Sequence, residues 1–216
     1  MIFDLSKQKT IANRFVAELR DAEIQKDRMR FRTNMERLGA VIAYEISKTL
    51  NYEEREIQTP LGTAICELYT DRVVVATILR AGLPFHQGML NFFDEAGSAF
   101  VSAYRRHHKD GTFDIQLEYI SCPNLADCTL ILVDPMLASG ASMTIAAKAL
   151  LEYGHPKELH FVTAIASTAG LEHIQRQFPD AHVWMGALDE ELTAKSYIVP
   201  GLGDAGDLSY GEKLQD

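Results

Sequence analysis

Thr129-Leu-Ile-Leu-Val133, followed by Asp134-Pro135-Met136-Leu137-Ala138-Ser139-Gly140-Ala141-Ser142, is the stretch whose reading decides the fold. The first segment reads as a buried strand, and a helical pattern from Met143 to Leu151 follows the small-residue loop. A strand, a loop of small residues and a helix start make an anion site, because free backbone amides and the helix dipole converge on the loop. Phosphate is the natural occupant. Asp134, a few residues before the cradle, is positioned to accept hydrogen bonds from a sugar's hydroxyls, so a ribose 5-phosphate would satisfy both ends. A P-loop is excluded, since no lysine follows Gly140 at the required spacing. Taken alone, the stretch is read equally well as a turn residue, Asp134, and a helix cap, Ser139 or Ser142. The rest of the chain has to break that tie.

Outward from it, short apolar runs alternate with helical segments. The runs are Val73 to Leu79, Ala99 to Tyr104, Ile115 to Ile120, Thr129 to Val133, Leu159 to Ile165 and His182 to Ala187. Helical candidates fall near Pro84 to Phe93, Ala141 to Tyr153 and Ala169 to Phe178. This alternation predicts an α/β fold, a mostly parallel sheet flanked by helices. Upstream, Phe31, Met35, Leu38, Ile42 and Ile46 recur on one face of a helical pattern running from Asn13 to about Leu50, with Arg28, Arg30, Arg32 and Glu36 on its solvated side. Thr59-Pro60-Leu61-Gly62 is a turn signal. The chain of 216 residues is therefore divided as a single domain 1–216, with a helical amino-terminal element 1–58, a sheet core 59–196 and a glycine-rich tail 197–216. Ligands bind beyond the carboxyl ends of parallel strands, which selects the loops after Leu79 and Val133, and the tail.

Composition narrows the partners. Hydrophobic residues make up 47% and charged residues 24%, as in globular proteins rather than disordered ones. No stretch approaches the roughly 18 apolar residues of a membrane span, and the start lacks a leader pattern, so a cytoplasmic location is expected. Cys66, Cys122 and Cys128 form no C-x-x-C unit and are read as reduced thiols. A net charge of −9 argues against nucleic-acid binding. A small anionic ligand is still allowed, provided that arginines, amides or a metal ion gather where it binds.

Two arginines meet that demand. Arg80 ends the run Val73 to Leu79 and leads into Ala81-Gly82-Leu83-Pro84, a glycine followed by proline at a helix start, which places a guanidinium beside exposed amides. Tyr104-Arg105 ends the next run, and Arg106, His107, His108 and Lys109 extend it toward Asp110-Gly111 as a loop between paired strands, the two histidines read as solvated. The tail, Tyr197-Ile-Val-Pro-Gly-Leu-Gly-Asp-Ala-Gly-Asp207, contains Gly201-x-Gly203-x-x-Gly206. This is formally a dinucleotide fingerprint, but that motif needs a long helix, a further strand and an acid about 20 residues on. The chain ends too soon for them. So many glycines instead present bare backbone groups, which can read a planar heterocycle with alternating carbonyl and N–H groups.

With these residues in view, the chain resembles the uracil phosphoribosyltransferases, a type I phosphoribosyltransferase family. Val133 to Ser142 is similar to the family's phosphoribosyl-diphosphate loop, whose usual end is Leu-Ala-Thr-Gly-Gly-Ser; here Ser139 stands for threonine and Ala141 for glycine. A Cβ at Ala141 is harmless at negative φ and costly at positive φ. Leu79-Arg80-Ala-Gly-Leu83, Tyr104-Arg105 and the tail also match the family. The resemblance implies transfer of a phosphoribosyl group from 5-phosphoribosyl 1-diphosphate (PRPP) to uracil, giving UMP. It implies PRPP contacts from Arg80, Arg105, Asp134, Pro135, Met136, Leu137, Ala138, Ser139, Gly140, Ala141, Ser142 and Asp204, and uracil contacts from Ile198, Gly203, Asp204 and Ala205. Arg80, Arg105 and Asp204 are the expected catalytic groups. Magnesium is expected to arrive on PRPP, near Asp204, rather than in a protein cage. The resemblance also implies a homodimer or higher homo-oligomer and, in some members, GTP as an effector. Two rivals remain at this point: another base as acceptor, and a non-catalytic sensor of uracil or PRPP.

Overall fold

Val73–Leu79 and Thr129–Val133, the most apolar runs in the chain, lie side by side as parallel strands with Val73 opposite Thr129 and Thr77 opposite Val133. They form the centre of a computed structural model that describes residues 1–107 and 113–213, the side chains of 103–116 lying outside the described set. In chain order, β1 (Ile2–Asp4) precedes α1 (Ala12–Arg20), α2 (Arg28–Ser47) and a hairpin of β2 (Tyr52–Thr59) and β3 (Gly62–Tyr69). The core follows as β4 (Val73–Leu79), α3 (Leu83–Leu90), β5 (Gly97–His107), β6 (Phe113–Ser121), β7 (Thr129–Val133), β8 (Met136–Leu137) and α4 (Ala141–Leu150). The chain continues with β9 (Glu158–Ser167), α5 (Thr168–Gln177), β10 (His182–Asp189), β11 (Glu191–Leu192), β12 (Ile198–Val199) and α6 (Ala205–Tyr210).

The main sheet runs β1-β10-β9-β7-β4-β5-β6, with β8 on β9, and every pairing except β5 with β6 is parallel. From β4 the chain moves outward through β5 and β6. It then returns to β7, on the other side of β4, and proceeds away through β9 and β10. The strand order therefore reverses between β4 and β7, and the loops leaving those two strands open a crevice at the carboxyl edge, where open α/β sheets bind ligands.

Alternation along the strands divides the core in two. Val73, Val75, Ile131 and Val133 face α1, α2 and α3, whereas Val74, Ala76, Leu130 and Leu132 face α4 and α5. The expected stripe on α2 is present: Phe31, Met35, Leu38, Ile42 and Ile46 are all buried. Among the described residues no helix is long and apolar enough to cross a membrane.

Three features depart from the sequence reading. Segment 1–58 is not wholly helical, because β1 forms the sheet's edge on β10 and the helical region stops at Ser47. A three-residue strand carries too little pattern to be detected, and β2, Tyr-Glu-Glu-Arg-Glu-Ile-Gln-Thr, is exposed almost throughout, so it has no buried face to generate an alternation. The Thr59–Gly62 turn joins the two strands of this hairpin rather than leading into the core. The expected solvated side of α2 is also engaged: Arg30 pairs with Glu18 at 2.8 Å, and Glu36 accepts from Asn91 Nδ2 at 2.8 Å. The proposed loop at 108–112 falls outside the described residues.

Glu18, on α1, ties the two amino-terminal helices together. It accepts from Arg30 Nε and Nη2, Asn34 Nδ2 and Arg14 Nε, at 2.8 to 3.1 Å. The Arg30 hydrogen bonds, aided by Asn34 and Arg14, hold its carboxyl at about 2 against an ordinary 4.5. A depressed carboxyl contributes stability that is fully present above its ordinary value and is lost as pH falls through its folded value. Glu18→Gln should therefore lower the melting temperature at neutral pH, with the gap from the parent protein closing as pH falls from about 5 toward 2. Calorimetry across that range checks it, and a gap independent of pH would show that the charge is not involved.

Candidate active site

The loop after β7 is held by the strand next to it. Asp134 N–H donates to Val162 O at 3.0 Å, Pro135 O accepts from Ala164 and Ile165, and β8 pairs Met136 with Ile165 and Leu137 with Ala166. Ser167, the last residue of β9, donates from Oγ to Ala138 O at 2.6 Å and accepts from Gly170 N–H at 2.9 Å. One hydroxyl thus joins the loop to the start of α5. Ser167 was not singled out from the sequence, since a serine before a helix is an ordinary cap.

Gly140 makes the turn into α4, with φ +79° and ψ −6°. A Cβ there would lie 2.9 Å from the His173 ring and 3.2 Å from Gly170 O. α4 begins without a side-chain cap, and Met136 to Met143 line a hollow in front of its first turn. Ala141 N–H, the first amide of the helix, donates to Ser139 Oγ at 3.4 Å, and the amides at the positive end of a helix suit an anion of the kind expected from the sequence. Ala141 is the first residue of α4 and is not among the residues of positive φ, so its Cβ carries no strain. The left-handed residue of the loop is the one that remained glycine.

Arg80 follows β4 through a cis Leu79–Arg80 peptide. Its Nη2 donates to Asp207 Oδ1 at 3.0 Å and Gly211 O at 2.6 Å, and its guanidinium lies 6.0 Å from the Tyr210 ring centroid. The first arginine loop and the tail are thus in direct contact. Arg105 lies in β5 opposite Ile115, and its side chain is outside the described set.

The tail is folded. Ile198 is buried in β12, paired with Leu192, and Leu202, Ala205 and Ser209 are buried as well, while Gly203 and Asp204 face solvent. No long helix follows the glycine motif among the described residues, but a short one does: α6 begins at Ala205, inside the motif, and runs for six residues to Tyr210. It formed unnoticed because its stabilisation is tertiary, as short helices are marginal alone. It is still far shorter than a dinucleotide site requires. Asp204 caps it, accepting through Oδ1 from Gly206 N–H at 2.8 Å and Asp207 N–H at 3.0 Å. Asp204 is exposed, and its Oδ2 takes no hydrogen bond from the described residues.

Arg32, read from the sequence as solvated, reaches from α2 to donate to Ser209 O at 2.6 Å, with Tyr210 5.9 Å from its guanidinium. Burial raises the Tyr210 phenol's pKa, against the pull of Arg32 and Arg80. Arg32 and Arg80 thus supply local positive charge in an acidic chain. Glu158, His160 and His182 form a second cluster, at the strands' amino ends, with candidate ligand atoms within 4.8 Å of one another. It does not suit a metal. His160 Nδ1 accepts from Trp184 Nε1 at 3.0 Å, which places the neutral ring's proton on Nε2, toward Glu158 Oε2 at 3.1 Å, and leaves no lone pair there for an ion.

A parallel sheet that reverses order between β4 and β7, with an uncapped helix start on one side of the crevice and an arginine joined to a glycine-rich tail on the other, is the architecture of a phosphoribosyltransferase-type α/β protein. The comparisons with known proteins narrow this class. Residues 6–211 match the family model described as uracil phosphoribosyltransferase, and the chain belongs to that family. A protein of Porphyromonas gingivalis named uracil phosphoribosyltransferase is 53% identical over 214 residues, 99% of both chains. One of the same name from Thermococcus gammatolerans is 38% identical over 203 residues, 93% of this chain and 89% of that one. Among solved structures, the AQ2163 protein of Aquifex aeolicus superposes with a TM-score of 0.88 at 30% identity, covering all of both chains.

The geometry separates two neighbouring positions in the cradle. Gly140→Ala should weaken PRPP binding and lower stability by about 1–2 kcal/mol, the usual cost of a left-handed residue, with the His173 contact in addition. Ala141→Gly should leave PRPP affinity within about twofold and cost at most about 1 kcal/mol of helix stability. Isothermal titration with PRPP and thermal melts of both variants would reverse this assignment if Ala141→Gly were the damaging change.

Proposed function

We propose that the chain transfers the 5-phosphoribosyl group of PRPP to uracil: the bond from the base N1 to C1 of the ribose forms, the C1–O bond to diphosphate breaks, and the N1 proton leaves with the diphosphate or to solvent. The carrying observation is the contact between Arg80 and the folded tail, which sets a cation suited to a diphosphate beside a backbone suited to reading a pyrimidine. Names borne by relatives that match nearly the whole length support the same reaction. Cytoplasmic pyrimidine salvage is the setting that such a reaction serves.

Breaking the bond from C1 to diphosphate leaves positive charge on the ribose and negative charge on the leaving group, so the site's main task is electrostatic. In this reading the amides of 138–142 hold the 5-phosphate and Asp134 fixes the ribose hydroxyls. Arg80 and Arg105 hold the departing diphosphate. Ile198, Gly203 and Ala205 orient uracil by backbone contacts, so that much of the barrier is met by positioning. The free oxygen of Asp204 is a hard donor that fits magnesium carried by the diphosphate. When bound, that ion would add positive charge at the leaving group. Purified protein should convert labelled uracil to UMP only when both PRPP and magnesium are present. Arg80→Ala and Asp204→Asn should each lower turnover by about a hundredfold or more, in the range seen when a charge-stabilising group is removed. Absence of product from any pyrimidine, with PRPP still bound, would favour a non-catalytic sensor, and full activity in both variants would sink the assignment of these residues.

The hairpin supports a homodimer or higher oligomer. Ile57, Leu61, Ile65 and Leu68 stand exposed on β2, β3 and their turn, Leu61 at 99% exposure, which is costly for a solitary surface. Light scattering should give at least a dimer for the intact chain, and a shift toward monomer for Leu61→Glu combined with Ile65→Glu. A monomeric parent chain would refute it. GTP as effector belongs to the same family-based reading, and an activity titration with GTP tests it.

A further inference from the structure

Arg20, near the end of α1, and Asp189, the last residue of β10, lie 169 positions apart and meet at the tail. Arg20 Nη1 and Nη2 each donate to one Asp189 carboxylate oxygen at 2.7 Å. Nη1 donates also to Gly201 O at 3.0 Å, and Gly201 N–H donates back to Asp189 Oδ2 at 2.8 Å. Both polar groups of one tail residue are thereby closed into a ring with a bidentate ion pair. The Asp189 side chain is only 6% exposed and that of Arg20 22%. Removing two charges from water is costly, and such a pair is better suited to fixing a geometry than to adding stability.

What it fixes is the turn between the residues assigned to the base. Gly201 has φ +56°, a conformation that favours glycine, and a Cβ added there would collide with the backbone carbonyl of Ile198. Ile198 lies on one side of it, and Gly203, Asp204 and Ala205 on the other. The foundation lies in the main sheet: Asp189 is in register with Ser167, the residue whose hydroxyl also donates to Ala138 O in the loop after β7. A second tether comes from Gln25: with the carboxamide oriented so that its nitrogen, not its oxygen, faces the two neighbouring carbonyls, it donates to Leu19 O at 3.0 Å and Leu202 O at 2.8 Å.

We infer that Arg20 and Asp189, assisted by Gln25, are positioning residues that hold the Gly201 turn and so set the enzyme's affinity for the base. They touch no substrate in this reading; they act through the backbone of 198–205. The inference rests on the assignment of the tail to uracil.

The test is steady-state kinetics with each substrate varied in turn. Asp189→Asn removes the charge and keeps the shape. Arg20→Lys keeps the charge but cannot bridge both partners. The KM for uracil should rise about tenfold to a hundredfold in each, the scale expected when a positioning contact shifts a reacting group, while the KM for PRPP stays within about twofold. Because both changes break one ring, the double variant should be no worse than the weaker single variant. Gln25→Ala, which leaves the ion pair intact, should give a smaller rise of the same kind, and with Arg20→Lys it carries the test if Asp189→Asn does not fold. Folded variants with unchanged uracil KM, or with both KM values rising equally, would overturn the inference while leaving the enzymatic reading intact. A parent protein that neither turns over uracil nor binds uracil or UMP by calorimetry would instead remove the assignment of the tail, and this inference with it.

Discussion

The parallel pairing of β4 with β7 is the constraint from which the rest of the structure follows. It joins two strands far apart in sequence, and it fixes the point where the sheet's order reverses. Because both strands run the same way, Leu79 and Val133 end at one edge. The two loops that leave them, one bearing Arg80 and the other running through Gly140 into α4, open into the same crevice. Parallel strands need both faces covered, and the two faces of this pair are closed by different helical layers, α1 to α3 and α4 with α5. The site therefore sits at the edge of a strand pair buried on both faces, with its chemistry carried by the loops at the rim.

Each element of the site is secured by a partner distant in sequence. The cradle depends on Ser167, the turn at Gly201 on Arg20 and Asp189, and the end of α6 on Arg32 and Arg80. This arrangement explains how a glycine-rich tail stays ordered. Glycine loses much entropy on ordering, and charge-assisted hydrogen bonds from arginine to backbone carbonyls offset that cost without side chains of the tail's own. The same bonds link the substrate regions. Arg80 contacts Asp207 and Gly211, so the residue assigned to diphosphate also supports the segment assigned to the base.

The net charge of −9 is reconciled with anionic substrates by this local clustering. Arg20, Arg32 and Arg80 gather around the tail, each bonded to a backbone carbonyl, with Arg20 paired to Asp189 and Arg80 to Asp207, so the guanidinium groups stand beside the crevice although the chain as a whole is acidic. Acidity far from the site acts on solubility and leaves binding within the crevice to short-range groups, since exposed charges beyond about 10 Å are screened by salt.

By itself the sequence determined the elements and the chemistry that reside in contiguous residues. Val73–Leu79 and Thr129–Val133 appear at the bounds expected from their apolar runs, α2 buries the expected stripe, and the residues of the cradle are adjacent in the chain. The family is legible for the same reason, because its motifs are local. Tertiary structure decided what depends on long-range contact. β1 is too short and β2 too exposed to carry a pattern, and α6 needs the body of the protein to form. The φ of Ala141 had to be seen, and it moved the strained position of the loop to Gly140. Arg32 is expected on a solvated helix side and Arg20 and Asp189 carry no signal in the sequence, since nothing in local spacing records a bond closed across 169 residues of chain. Strand and helix propensities are written along the backbone, whereas the contacts that aim a site arise only once the chain has folded upon itself.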